Sequence, residues 1–206
     1  MGLVVTPLPG ALGAEITGAL LTRPAAEETV AAVRRALLDH LVIVIRDQAL
    51  APDDHIALSA RFGELESHDN KQFLKDGHPE ILVLSNARVD GRAIGVPDAG
   101  DAWHSDLSFK RETALFTVLQ SVELPSQGGD TEFADLHAAY DALPKATRRR
   151  IDGLRAAHSI DKLRNPRVEI SRKRENAAEF YAKQSAERPD TLHPIVRTHP
   201  ETGRKL

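Results

Sequence analysis

"AWHSDLSF", Ala102 to Phe109, places a histidine and an aspartate two residues apart, with a tryptophan before them and a serine between. On a strand, residues i and i+2 project from the same face, so His104 and Asp106 would present an imidazole nitrogen and a carboxylate oxygen together. Those two donors can bind one divalent cation in common. With a third ligand from a distant strand they would form one triangular face of an octahedron. The opposite face would stay open for substrate and oxygen, which is the layout of non-haem Fe(II) oxygenases. A bare His-x-Asp pair is equally compatible with two polar residues on a strand edge, so its meaning depends on what surrounds it. Trp103 is the sole tryptophan of the chain and adjoins the pair. A glycine-rich stretch precedes it, and Gly128-Gly129-Asp130-Thr131 follows it.

The length of 206 residues fits one domain, and a hydrophobic content of 41% suffices for a core. A net charge of -3 gives no bulk attraction to nucleic acid or to an anionic membrane. The absence of cysteine excludes disulfides, thiolate zinc sites and thiol nucleophiles. The start, "MGLVVTPLPG", has no basic region leading into a long apolar run, and the strongest apolar run, Leu41 to Ile45, is far too short to span a bilayer. A cytoplasmic protein is the expectation, with neither nucleic acid nor membrane as partner and with homo-oligomerisation left open.

Residues 25–40 carry Val30, Val33 and Leu37 at helical spacing, with Glu27 and Glu28 early and Arg34 and Arg35 late. This predicts an amphipathic helix whose charges suit its dipole. "LVIVIRD" then predicts a strand covered on both faces. A short helix is expected from Pro52 to Gly63, a strand over 80–85, and a loop over 86–102. Strands are expected over 113–122 and 131–135, with the glycine-rich turn between them. Helices follow from Asp135, as N-cap, and from about Lys145, and "RAAHS" reads as a strand. Residues 160–190 are charge-rich and poor in apolar side chains, which suggests a mobile insert or lid. "HPIVRTHPETGRKL" reads as a strand, a turn and the start of a hairpin return.

Several spaced segments together carry a resemblance. "LPGALGAEITG", "VIVIRDQALAPDDHIALSARFGELESH", "WHSDLSF", "VELPSQGGDTEFADLHAAYDALP" and "HPIVRTHPETGRK" resemble the taurine dioxygenase/2,4-dichlorophenoxyacetate dioxygenase family of Fe(II)- and 2-oxoglutarate-dependent oxygenases. The resemblance spans nearly the whole chain. It implies a mainly β fold with flanking helices (α+β), a double-stranded β-helix or jelly roll, here incomplete at its C-terminus. It also implies that His104 and Asp106 are iron ligands and that the Thr131 hydroxyl helps to hold the distal carboxylate of 2-oxoglutarate. Leu107 and Phe109 would line or support the substrate pocket, and His68 stands where members of the family contribute substrate contacts. His137 and His158 read as structural or surface histidines, and His193 and His199 match family positions that are not ligands. The family's third iron ligand and its 2-oxoglutarate-binding arginine are expected beyond Leu206, so the 206-residue chain by itself is expected not to be a competent oxygenase.

The implied activity is hydroxylation of a small organic acid of sulfonate, sulfate ester or aryloxyacid type, using oxygen and releasing succinate and carbon dioxide. Where members of the family that act on taurine place a polar amide, this chain has Gly100, which argues against taurine itself. Two other readings are distinguishable. A non-catalytic family member would bind without turnover, and a metal-dependent hydrolase would turn over without oxygen.

Overall fold

The computed structural model describes residues 2–22, 25–68, 71–97, 99–100, 103–159 and 190–206. All but the last residue of the expected lid, 160–190, lies outside these described residues. The chain forms two compact units. The first comprises Met1–Asp101 with Phe116–Asp135, and the second Ala102–Leu115 with Leu136–Leu206.

The first unit is built on a β-α-β element extended by one strand. Strand β1 (Val4–Pro7) pairs antiparallel with β2 (Ala14–Thr17), and β2 pairs parallel with β3 (Ile43–Ile45). Helix α1 (Glu27–His40) makes the crossover that a parallel pair requires. It begins with Glu27 and Glu28 in its first turn and buries Val30 and Val33, as expected from their spacing, together with Ala36, whereas Leu37 is half-buried. Leu41, at φ 68°, ends the helix by donating its N–H to the Leu37 carbonyl at 2.8 Å. Strand β2 alternates as a half-covered strand should. Ala14 and Ile16 are fully buried, and Glu15 faces outward to pair with Arg46 at 3.0 Å. Ile16, Ala19, Leu21, Val33, Ala36 and Leu58 form the apolar core.

The "LVIVIRD" run differs from the expectation. Only Ile43–Ile45 is a strand, and all three residues are half-buried. The strand order β1-β2-β3 leaves β3 at an edge, with β2 as its sole neighbour among the described residues. A continuous apolar run reports low polarity, not how many layers cover it.

Helix α2 (Pro52–Ser59) starts at Pro52, where a missing N–H costs nothing. Strands β4 (Leu74–Lys75) and β5 (His78–Leu82) form an antiparallel pair. The stretch 86–102, expected as loop, contains a small hairpin, β6 (Arg88–Val89) with β7 (Arg92–Ala93). Its turn residues Asp90 and Gly91 have φ 48° and 76°, the doubly left-handed turn that an Asp-Gly pair favours. Beyond it, Leu84 and Val96 form a parallel bridge.

The strands expected over 113–122 and 131–135 do not form among the described residues. Alternating β-formers predispose the backbone to extend, but a strand exists only when its N–H and C=O groups find a ladder. Val118, Leu119 and Val122 remain 40%, 64% and 91% exposed. The intervening turn does form, with Gly128 and Gly129 at φ 69° and 77°.

In the second unit, α3 (Leu136–Ala142) and α4 (Lys145–Ile151) follow the predicted boundaries closely. Strand β8 (Arg155–His158), predicted from "RAAHS", pairs antiparallel with β9 (Thr191–Pro194) in the register Ala156 to His193 and His158 to Thr191. The chain then turns through Pro200–Gly203. Arg197 and Leu206 exchange backbone hydrogen bonds at 2.9 and 3.0 Å, closing the expected hairpin return. The two units are held differently. Among the described residues every buried hydrophobic side chain belongs to the first, and the buried polar residues Ser108, His137, Ser159 and His193 all belong to the second. Such groups are tolerated inside only when hydrogen-bonded, so this unit depends on directional contacts.

Candidate metal centre

His104 and Asp106 meet: Nε2 of His104 lies 3.2 Å from Oδ1 of Asp106. The expected strand is not what brings them together. Residues 103–105 have no regular structure and 106–109 form a turn, so the two side chains meet on a different backbone from the strand that the period-two argument assumed. Lys110 donates its N–H to the Leu107 carbonyl at 2.9 Å, and Ser108 donates to Ser105 at 3.4 Å. Leu107 sits in the left-handed region at φ 53°. A side chain bearing a Cβ is strained there, by about 1–2 kcal/mol. That strained residue directly follows Asp106 and redirects the chain leaving it.

The separation suits chelation. Two donors about 2.1 Å from one octahedral cation, at right angles, stand about 3.0 Å apart. The observed 3.2 Å needs only a small adjustment. The two side chains are 41% and 47% exposed, so the donors are reachable from outside while partly shielded. One carboxylate and one imidazole form a donor set for a borderline divalent metal such as Fe(II). No group of three or more His, Asp or Glu residues placed to hold a metal occurs among the described residues.

The remaining candidates are distributed. Leu107 and Phe109, both half-buried, flank the pair on the same turn. Thr131 is exposed and His68 half-buried, and both belong to the first unit, whereas the pair belongs to the second. His137 is buried, its Nδ1 donating to the Lys205 carbonyl at 2.7 Å, which is the structural role expected of it. His158 packs edge-on against His193, with ring centroids 5.1 Å apart.

Two contacts of consequence were not foreseen in the sequence. Thr191 Oγ1 donates to the Phe109 carbonyl at 2.7 Å, and His193 Nε2 donates to the Lys110 carbonyl at 2.9 Å. The acceptors are the last residue of the turn that starts at Asp106 and the residue after it. His193 opens the segment read as a strand and Thr191 lies just before it, but their partners are some eighty residues away, and no local pattern marks such a contact.

Comparison with known proteins adds an independent finding. The family model described as taurine catabolism dioxygenase TauD, TfdA family matches residues 5–206. Pentalenolactone F synthase of Streptomyces arenae is 34% identical over 207 residues, covering 98% of this chain and 69% of its own length. The alpha-ketoglutarate-dependent 2,4-dichlorophenoxyacetate dioxygenase of Cupriavidus pinatubonensis is 32% identical over 216 residues, covering 100% of this chain and 72% of its own. The crystal structure of a taurine dioxygenase from Burkholderia xenovorans superposes with a TM-score of 0.75 at 31% identity, over 99% of this chain and 61% of that one. This chain therefore spans about three fifths to three quarters of the length of these relatives.

Proposed function

The chain belongs to the taurine catabolism dioxygenase TauD, TfdA family, and from that membership we propose that it provides the metal-binding part of an Fe(II)- and 2-oxoglutarate-dependent dioxygenase acting on a small organic acid. The observation that carries the reading is the 3.2 Å approach of His104 Nε2 and Asp106 Oδ1 on one half-exposed turn. The jelly roll is the architecture we assign to the whole. Bound Fe(II) and 2-oxoglutarate supply the chemistry: oxygen is split between a new hydroxyl on a C–H carbon and succinate, with loss of carbon dioxide.

The residues divide the remaining work. Asp106 would contribute one negative charge to a divalent cation, leaving net positive charge to attract an anionic co-substrate. His104 would contribute a neutral nitrogen donor. Thr131 would donate a hydrogen bond to the distal carboxylate of 2-oxoglutarate, a bond strengthened by the acceptor's charge. Leu107 and Phe109, apolar and next to the ligands, would exclude water from the substrate side, and His68 would contact substrate. The aryloxyacid in the name of the Cupriavidus relative supports an organic acid as substrate class. Gly100 in place of an amide argues against taurine.

The test, made on a complete version of the protein, is anaerobic titration with Fe(II), followed by measurement of succinate in the presence of oxygen and a panel of aryloxyacids, sulfonates and sulfate esters. His104→Ala and Asp106→Ala are expected to abolish metal-dependent succinate release while the fold survives, because neither side chain is a core group. Normal succinate release from either variant would remove the ligand assignment. Metal-dependent turnover without oxygen consumption would instead indicate a hydrolase.

A further inference from the structure

We propose that Thr191 and His193, neighbours on one face of β9, are positioning residues that strap the metal-binding turn in place. The inference rests on the reading of His104 and Asp106 as ligands, and it gives Thr191 and His193 a role that the sequence reading did not assign to them.

Start with the strand. Thr191 and His193 alternate with Leu192, so both project from the same face while Leu192 is 54% exposed on the other. His193 is buried, at 8% exposure. The Thr191 hydroxyl donates to the carbonyl of Phe109 at 2.7 Å, and His193 Nε2 donates to the carbonyl of Lys110 at 2.9 Å. One strand face thus holds two successive carbonyls of the segment leaving the Asp106–Phe109 turn. The strand is itself fixed by its ladder to β8, and the His158 ring packs edge-on against His193 at 5.1 Å.

Now consider what the turn needs. It contains Leu107 at φ 53°, a conformation that costs energy and persists only when its surroundings over-determine it. Within the turn the backbone bonds are one good contact, Lys110 to Leu107 at 2.9 Å, and one long one, Ser108 to Ser105 at 3.4 Å. These alone are little to hold a strained turn. The two side-chain bonds from β9 fasten its C-terminal end. Holding that end restrains the turn that starts at Asp106 and so limits the movement of its carboxylate. His193 donates through Nε2, so His193→Gln can place an amide N–H at nearly the same reach, whereas His193→Leu fills the space without a donor. Thr191→Val keeps the shape and removes the other donor.

The experiment has two readouts on the wild type, His193→Leu, His193→Gln and Thr191→Val. The first is amide hydrogen exchange of residues 104–110 in the metal-free protein. We expect at least tenfold faster exchange in His193→Leu and Thr191→Val, with His193→Gln close to wild type. The second is Fe(II) affinity by anaerobic calorimetry, with His104→Ala as a reference. Loss of a contact that orients ligands weakens metal binding by about 10–100-fold, and that is the range expected for His193→Leu, with recovery in His193→Gln. Unchanged exchange over 104–110 in both His193→Leu and Thr191→Val would overturn the strap. So would Fe(II) affinity equal to wild type in a His193→Leu variant that is merely less stable. If His104→Ala binds Fe(II) as wild type does, the ligand reading fails, and the exchange data still decide whether β9 restrains the turn. Should His193→Leu not fold, Thr191→Val and His193→Gln carry the same test.

Discussion

Replacing Leu107 by glycine and by alanine in parallel isolates the strain in the metal-binding turn. Both substitutions delete the same half-buried side chain beyond Cβ, so packing losses largely cancel between them. What differs is the backbone. At an ordinary position glycine is worse than alanine by about 0.5–1 kcal/mol, because the unfolded chain gains freedom. At φ 53° alanine carries the left-handed penalty of about 1–2 kcal/mol that glycine escapes. The two terms oppose each other, and the second is larger. Leu107→Gly should therefore be more stable than Leu107→Ala by up to about 1.5 kcal/mol. Ala139, exposed in the middle of α3, supplies the opposite sign: Ala139→Gly should cost about 1 kcal/mol. The assay is urea unfolding followed by the fluorescence of Trp103, the sole tryptophan, 68% exposed and four residues from Leu107. With slopes of about 1–3 kcal/mol per molar urea, a 1 kcal/mol difference moves the midpoint by about 0.3–1 M. Leu107→Ala more stable than Leu107→Gly would show that the turn is not left-handed at this residue.

Two further outcomes are expected. Thr131→Val removes one hydrogen bond to a charged carboxylate, worth about 1.5–3 kcal/mol, so the apparent affinity for 2-oxoglutarate should fall by about ten- to a hundredfold with little change in unfolding midpoint; an unchanged affinity would reduce Thr131 to an ordinary exposed residue. Ile16→Ala, at the one large side chain that is fully buried among the described residues, should cost about 2–5 kcal/mol, a large fraction of a typical domain's stability. Val122→Ala, at 91% exposure, should change the denaturation midpoint by an amount equivalent to less than about 0.5 kcal/mol, and equal losses at both positions would contradict the location of the core.

Local physics made much of the chain legible from its sequence. Helix α1 followed from the spacing of Val30 and Val33 and the early glutamates, and α2 from Pro52. The closing hairpin followed from its Pro-Glu-Thr-Gly turn. The Asp90-Gly91 hairpin was equally local, and its signal was passed over inside a stretch read as loop. The closeness of His104 to Asp106 was also written in the sequence, since a single intervening residue leaves the two donors within reach on more than one backbone. The backbone itself was not. Whether 103–109 extends or turns depends on what holds its far end, and that is supplied by Thr191 and His193 from a strand more than eighty residues on. In the same way, alternation over 113–122 expressed a preference for extension but could not provide a ladder, and the apolarity of 41–45 could not say that β3 would lie at an edge. Propensity acts over a few residues and is set by side-chain chemistry. Strand pairing, edge position and the anchoring of a strained turn are contacts between distant segments, and they came only with the tertiary structure.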